Sequence, residues 1–243
     1  MAPVLNARGI GLRFRGAAQS VLEAFDLVVE PGEFVAIVGS SGVGKSTLLR
    51  VVAGLVEPDS GTVTVTTTAA PDRRRRAIVF QDGRLMPWRD LRGNIGYGLE
   101  GLKMSAAAGR ARVDKVLELT GLSHLADRYP HQLSGGQIQR GGIARALAVQ
   151  PDLLLMDEPF SAVDALTRES LQDELLRLWQ VSGKAVLFVT HDIAEAVFLA
   201  DRIIVLAGSP AGIVMDERVG IARPRDRADP ALDAIEKRIG ATL

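Results

Sequence analysis

The stretch EFVAIVGSSGVGKSTLLRVVAGL, residues 33–55, constrains this chain more than any other. An apolar run from Glu33 to Gly39 leads into Gly39-Ser40-Ser41-Gly42-Val43-Gly44-Lys45-Ser46-Thr47, which has the spacing G-x-x-x-x-G-K-[ST], and a helix-forming run follows. Each residue type in this pattern has a physical task. The glycines let consecutive backbone N–H groups curl around a phosphate, and the helix N-terminus adds a favourable field. Lys45 reaches β- and γ-phosphate oxygens, and the Ser46 hydroxyl is a hard oxygen ligand suited to Mg²⁺. The expected product is a nucleoside triphosphate cradle between a buried strand and a helix.

A second half-site should come from a strand ending in acid, and LLLMDEP supplies one. Asp157, at the carboxyl end of that strand, suits a Mg²⁺ water, and Glu158, one residue on and pointing elsewhere, suits general-base activation of the attacking water. A second glycine-rich turn before a helix, LSGGQIQR from Leu133 to Arg140, has the same anion-binding character.

The rest of the sequence predicts an α/β domain. Leu153–Asp157, Ala185–Thr190 and Arg202–Ala207 are short apolar runs bounded by Gly, Pro or Asp, as in a parallel sheet covered on both faces. The first third differs: VLNARGIGLRF, AFDLVVE and TVTVTTT are β-branched and partly alternating, so an antiparallel portion is expected there. Between about residues 90 and 150 the strand signals vanish, and SAAAGRARVDKVLELTGL places Val113, Val116 and Leu117 at helical spacing behind a Ser105 cap. One domain spanning 1–243 follows, with 1–89 and 151–220 as nucleotide-binding core, 90–150 as an inserted α-helical lobe and 221–243 as a tail helix.

Composition excludes several classes. Lys plus Arg and Asp plus Glu number 29 each, so no net field draws the chain to nucleic acid. The one dense basic run, Arg73 to Arg76, reads as a solvated turn. There is no cysteine for a disulfide or thiolate site. No signal-peptide pattern opens the chain, and its apolar runs are far shorter than the roughly 18 residues of a membrane span.

In this order the motifs resemble those of the nucleotide-binding subunit of an ABC transporter, from about Leu5 to Glu217. The resemblance implies ATP and Mg²⁺ as ligands. It matches Phe14 to the aromatic that stacks on adenine, Gln81 to the glutamine that touches Mg²⁺ and senses the γ-phosphate, and His191 to the switch histidine. Leu133 to Gln137 match the family signature, and Ser161-Ala162-Val163-Asp164 match the D-loop, with Val163 where Leu is usual. Two subunits would then meet head to tail, and Ser134, Gly135, Gly136 and Gln137 of one would close on the ATP held by the other's Gly39–Thr47 loop. A homodimer with ATP sandwiched in its interface is implied, with Asp164 beside it.

FQDGRLMPWRDLRGNIGYGLE and VTHDIAEAVFLADRIIVL are similar to the branch that serves importers of nitrate, sulfonates and taurine. That likeness implies a peripheral ATPase at the cytoplasmic face of the membrane. It would be coupled to integral membrane permease subunits and, indirectly, to a periplasmic or extracellular solute-binding protein, without nucleic acid. The competing reading is a soluble ABC ATPase acting on ribosome or DNA, but no fused second cassette, basic linker or long coiled coil is visible. A GTPase would add Asn-Lys-x-Asp, which is absent. Leu85, Met86 and Trp88 are expected to form the groove for a permease helix. Gly141-Gly142, where larger residues are usual, should cost the helix roughly 1 kcal/mol each relative to alanine.

Overall fold

The computed structural model describes residues 2–66, 70–161 and 163–243. In chain order the elements are β1 (Leu5–Leu12), β2 (Leu22–Val29), β3 (Phe34–Gly39), α1 (Lys45–Ala53), β4 (Ser60–Val65) and β5 (Arg76–Val79). Next come α2 (Leu91–Tyr97), α3 (Ala106–Leu119), α4 (Gly135–Ala148), β6 (Leu153–Asp157) and α5 (Ala165–Ser182). The chain closes with β7 (Ala185–Val189), α6 (Ile193–Leu199), β8 (Arg202–Ala207), β9 (Gly212–Arg218) and α7 (Pro230–Gly240). They fall into two compact units, Met1–Thr66 with Ala185–Leu243, and Thr67–Lys184. Thus β5, β6 and α5 group with the helices between residues 90 and 150.

In the first unit the expected antiparallel portion is a three-stranded sheet ordered β2-β1-β4. A second sheet runs β7-β3-β8 in parallel, with β9 antiparallel at its edge. Every residue of β3 and of β7 is buried, which is why both read as unbroken apolar runs rather than as alternation. The helix α1 covers this sheet with Leu48, Leu49, Val51 and Val52, and Gly54, left-handed at φ 69°, ends it. β9 had no strong sequence signal, because its burial pattern is that of a half-exposed edge.

Several arginines tie the tail down, and the most buried of those bonds come from Arg225. The Arg225 guanidinium, 7% exposed, donates to the carbonyls of Val197, Phe198 and Ala200 at the end of α6. These are orphan acceptors that a helix C-terminus otherwise leaves to water. Burial is the main reason its pKa is lowered to about 10, with the nearby Arg223 charge adding to it. After it, Asp229 caps α7 and Pro230 opens it, and Leu232, Ile235 and Ile239 form its buried face.

In the second unit β5 and β6 pair in parallel. The helices α2, α3 and α4 close around Leu91, Ile95, Val113, Val116, Leu117, Ala144 and Ala148, with Leu85 packed against them. Ser105 caps α3 as its sequence predicts, accepting from the Ala108 N–H at 3.2 Å. Arg73, Arg74 and Arg75 are exposed, as a solvated turn requires.

The paired glycines of α4 have a packing role that outweighs their helix propensity. A Cβ on Gly141 would lie 2.8 Å from Leu91 Cδ1 and 3.0 Å from Leu85 Cδ1, and one on Gly142 would lie 3.0 Å from both Cα and O of Gly83. The α4 backbone therefore rests directly on the segment that follows Gln81. Restoring propensity with Gly142→Ala gains about 1 kcal/mol, whereas overpacking against backbone costs about 1–3 kcal/mol. Gly142→Ala should therefore lower stability, seen as a reduced urea midpoint with unchanged slope; a raised midpoint would show that the contact is not tight.

Candidate nucleotide site

Each unit carries part of the predicted constellation. In the first, β3 runs into the Gly39–Ser46 loop and α1 begins at Lys45 with no side chain capping it. The loop closes on its own lysine: Lys45, 4% exposed, donates from Nζ to the carbonyls of Gly39 at 2.7 Å and Ser40 at 3.1 Å. Gly39 and Gly44 are required by close approach, since a Cβ would stand 2.5 Å from the Leu206 carbonyl oxygen and 2.9 Å from Val21 Cγ1 respectively. Gly42 has open space around it, and its φ of 82° makes glycine the fitting residue there. Ser40 and Ser41 are exposed, while Val43, Ser46 and Thr47 are half-buried at the loop's end and in the first turn of α1.

His191 follows β7, which pairs in parallel with β3 from Phe34↔Val186 to Ile37↔Val189. The loop and the histidine thus leave the same end of adjacent strands, where ligands of parallel α/β sheets bind. The His191 turn is fixed from beneath: buried Thr190 donates to Glu195 Oε2 at 2.7 Å and accepts from the Asp192 N–H at 3.0 Å, and Asp192 caps α6. The imidazole itself is exposed. Phe14 is not a core residue. It is 47% exposed in the turn after β1, beside a depression of about 720 Å³ lined by Arg13, Ser20, Leu22 and Asp59 among others.

In the second unit, Gln81 follows β5 and Asp157 ends β6. The parallel register, Arg76↔Leu153 to Val79↔Met156, brings both to the same strand ends. Asp157 is buried and Glu158 half-buried. Glu158 has φ 46°, a left-handed conformation uncommon outside glycine, held by Ser161, whose N–H and hydroxyl both bond the Glu158 carbonyl at 3.2 and 2.9 Å. Such strain costs about 1–3 kcal/mol and concentrates at functional sites. No sequence pattern announces it.

The signature turn caps itself. Ser134 Oγ accepts from the Gln137 N–H at 3.3 Å, and Gln137 Oε1 accepts from the Ser134 N–H at 2.8 Å. The hydroxyl accepts here, so its proton stays available to an incoming oxygen. The two glycines divide the work. A Cβ on Gly135 would meet nothing within 4 Å, whereas one on Gly136 would lie 2.8 Å from Thr167 Cγ2. Gly135 faces open space, and Gly136 serves the packing of α4 on α5.

From that turn, α4 is riveted to the segment on both sides of Gln81. Gln139 Nε2 donates to the Phe80 carbonyl at 3.3 Å, and Arg145 donates to the carbonyls of Gly83 at 2.9 Å and Arg84 at 2.7 Å. Burial pushes the Arg145 guanidinium pKa down, as expected for a cation held by carbonyls away from water. Beyond it the Asn94 side chain, fully buried, accepts from the Met86 N–H and donates to the carbonyls of Met86, Arg89 and Asp90. This holds Trp88 outward, 73% exposed. Leu85, expected beside it, instead packs inward on the helices.

Asp164 caps α5 by accepting from the Thr167 N–H at 3.0 Å, and that backbone bond is the main reason its carboxyl is held below the usual range. Val163, standing where Leu is usual, is buried. Ala162, read as part of the D-loop, lies outside the described residues.

Comparison with known proteins matches residues 22–161, from β2 past β6, to the family described as ABC transporter. The chain belongs to the ABC transporter family. Like other ABC ATPases it binds and hydrolyses ATP. Among its relatives is the aliphatic sulfonates import ATP-binding protein of Albidiferax ferrireducens, 47% identical over 97% of this chain and 81% of the relative. The taurine import ATP-binding protein of Pseudomonas aeruginosa is 46% identical over 90% of this chain and 84% of the relative. Among solved structures, the ATP-binding cassette MJ0796, seen as a dimer in a post-hydrolysis state with ADP and Pi, superposes with a TM-score of 0.74 at 31% identity. That match covers 90% of this chain and all of the other.

Proposed function

We propose that this ABC protein is the ATP-hydrolysing subunit of an importer for small organic anions of the sulfonate and taurine kind, working as a homodimer beneath separate permease subunits. The observation that carries this reading is its identity of nearly one half, over almost the full length, with proteins named for import of those solutes.

In this proposal the loop amides from Gly39 to Thr47 and the Lys45 ammonium hold the triphosphate, and Phe14 stacks on adenine. By donor chemistry alone, the Ser46 hydroxyl, the Gln81 amide oxygen and the Asp157 carboxylate are the hard oxygen ligands that would hold a Mg²⁺ ion beside the phosphates. Mg²⁺ supplies neutralisation of phosphate charge when bound. Glu158 accepts a proton from the attacking water, and His191 contacts the γ-phosphate. The signature turn Ser134–Gln137 of one subunit closes on the other subunit's ATP, with Gly135 leaving room for that approach. Solute reaches the permease from an external binding protein, and the ATPase stays on the cytoplasmic side.

The permease contact is assigned to Trp88 and its loop. Its chemistry is that of an exposed aromatic on a rigid turn, and Asn94, α4 and Gln81 link it to the nucleotide side of its unit. Trp88→Asp should leave ATP binding and stability unchanged while abolishing co-purification with the permease and uptake of labelled taurine or ethanesulfonate. Leu85→Asp should instead destabilise the helices by about 3 kcal/mol, because it buries an unpaired charge. Normal uptake in Trp88→Asp cells would remove this loop from the contact. Normal uptake of both solutes after disruption of the gene would overturn the transport reading itself.

A further inference from the structure

The unit Thr67–Lys184 contains a cavity of about 350 Å³ that none of the nucleotide motifs uses. Its floor is apolar, formed by Val116 and Leu119 of α3, Leu147 of α4 and Leu178 of α5. Its rim is basic, formed by Arg73, Arg112, Lys115 and Lys184. Two of these cations are committed. Arg112 donates to the carboxylate of Asp72 at 2.7 Å and to its carbonyl at 2.6 Å, and Lys184 pairs with Asp152 at 3.7 Å. Arg73 and Lys115 are exposed, and among the described residues neither forms an ion pair with a carboxylate at salt-bridge distance.

We propose that this cavity binds a small amphiphilic monoanion, a single charged head group on a short alkyl chain. The volume lies in the range of ligand pockets, which are mostly apolar with few polar groups. The Arg112–Asp72 bonds fix the turn that carries Arg73 and so hold one head-group partner over the apolar floor. The last turns of α4 and α5 also line the cavity, and their partial negative charge offsets part of the cationic excess. The field that remains suits one negative charge better than two. An alkyl chain is the part that the four apolar side chains select. Pro151, also in the lining, lies two positions before the first residue of β6. The pocket therefore lies at the opposite end of that strand from Asp157 and Glu158, roughly 17 Å away for a five-residue strand.

Trp179 provides the probe. Its indole donates to the Lys184 carbonyl at 2.9 Å, beside the lining, so its emission should respond to occupancy. In a Trp88→Phe background, titration with butane-, hexane- and octanesulfonate should give saturable changes, with affinity rising about fourfold per methylene. Octanoate run in parallel separates a sulfonate from a fatty carboxylate as the preferred head group. Val181 is a 66% exposed member of the lining. Val181→Glu places a negative charge at the mouth without touching the core, and together with Arg73→Ala and Lys115→Ala it should weaken octanesulfonate at least tenfold. ATP at saturation should leave the titration intact. Absence of a saturable response to octanesulfonate, equal binding by uncharged octanol, or indifference to all three substitutions would overturn the proposal.

Discussion

Replacing Glu158 by Gln should lower ATP turnover by roughly 10²–10⁴-fold, the usual worth of a positioned general base, while nucleotide still binds. The substitution keeps the shape of the side chain and removes its ability to take a proton. The turn that presents it is held by backbone and hydroxyl bonds from Ser161 to the Glu158 carbonyl, and these survive the change. The loop around Lys45, a separate structure built on β3, is untouched. With ATP bound and uncleaved, the proposed ATP-mediated contact between subunits would persist, so the ATP-bound dimer should accumulate. Phosphate release measured beside size-exclusion chromatography with and without ATP checks both halves of this expectation. Wild-type turnover in Glu158→Gln would assign the base elsewhere.

The second large effect is complementation between two inactive chains. Lys45→Ala removes the ammonium that bridges Gly39 and Ser40 in the triphosphate loop. Ser134→Arg removes the capping hydroxyl of α4 and puts a long cation where Gly135 leaves open space. Losing the cap costs about 1 kcal/mol, too little to unfold a domain of this size, so the fold should persist. In the proposed homodimer each site would take its loop from one subunit and its signature from the other, as two-fold symmetry then repeats the arrangement. Either variant alone then has two defective sites. A mixed dimer has one site with both lesions and one with neither, so mixing should restore a fraction of wild-type ATPase. A fluorescent ATP analogue should still bind monomeric Ser134→Arg. Loss of that binding would place the signature turn in the same subunit's pocket.

The β3 strand, its loop, the acidic end of β6, the Ser105 cap and the helical character of 90–150 were all legible in sequence. Each depends on residues within a few positions of one another: apolar runs that bury both faces, a side chain that reaches its own helix N-terminus, glycines spaced around one loop. The candidate site residues can be read in order along the chain because strand ends and helix starts are themselves local events. Phe14, by contrast, could have been core by composition, and only its exposure beside a depression shows that it is not.

What the sequence could not settle were effects that depend on segments distant in the chain. By propensity alone Gly141 and Gly142 weaken a helix; against Gly83, Leu85 and Leu91 they let it pack. Gly135 and Gly136 are equivalent letters, yet Thr167 makes one a packing residue and leaves the other open. Leu85 and Trp88 are two apolar side chains three positions apart, and the buried Asn94 amide that folds their loop helps send the second outward while the first packs on the helices. The amino-acid order by itself determined the family of chemistry, because phosphate binding needs only a short run of backbone in the right conformation. The tertiary structure decided which small and apolar residues serve packing and which are left to meet a ligand or partner, because that depends on the neighbour a side chain meets in space.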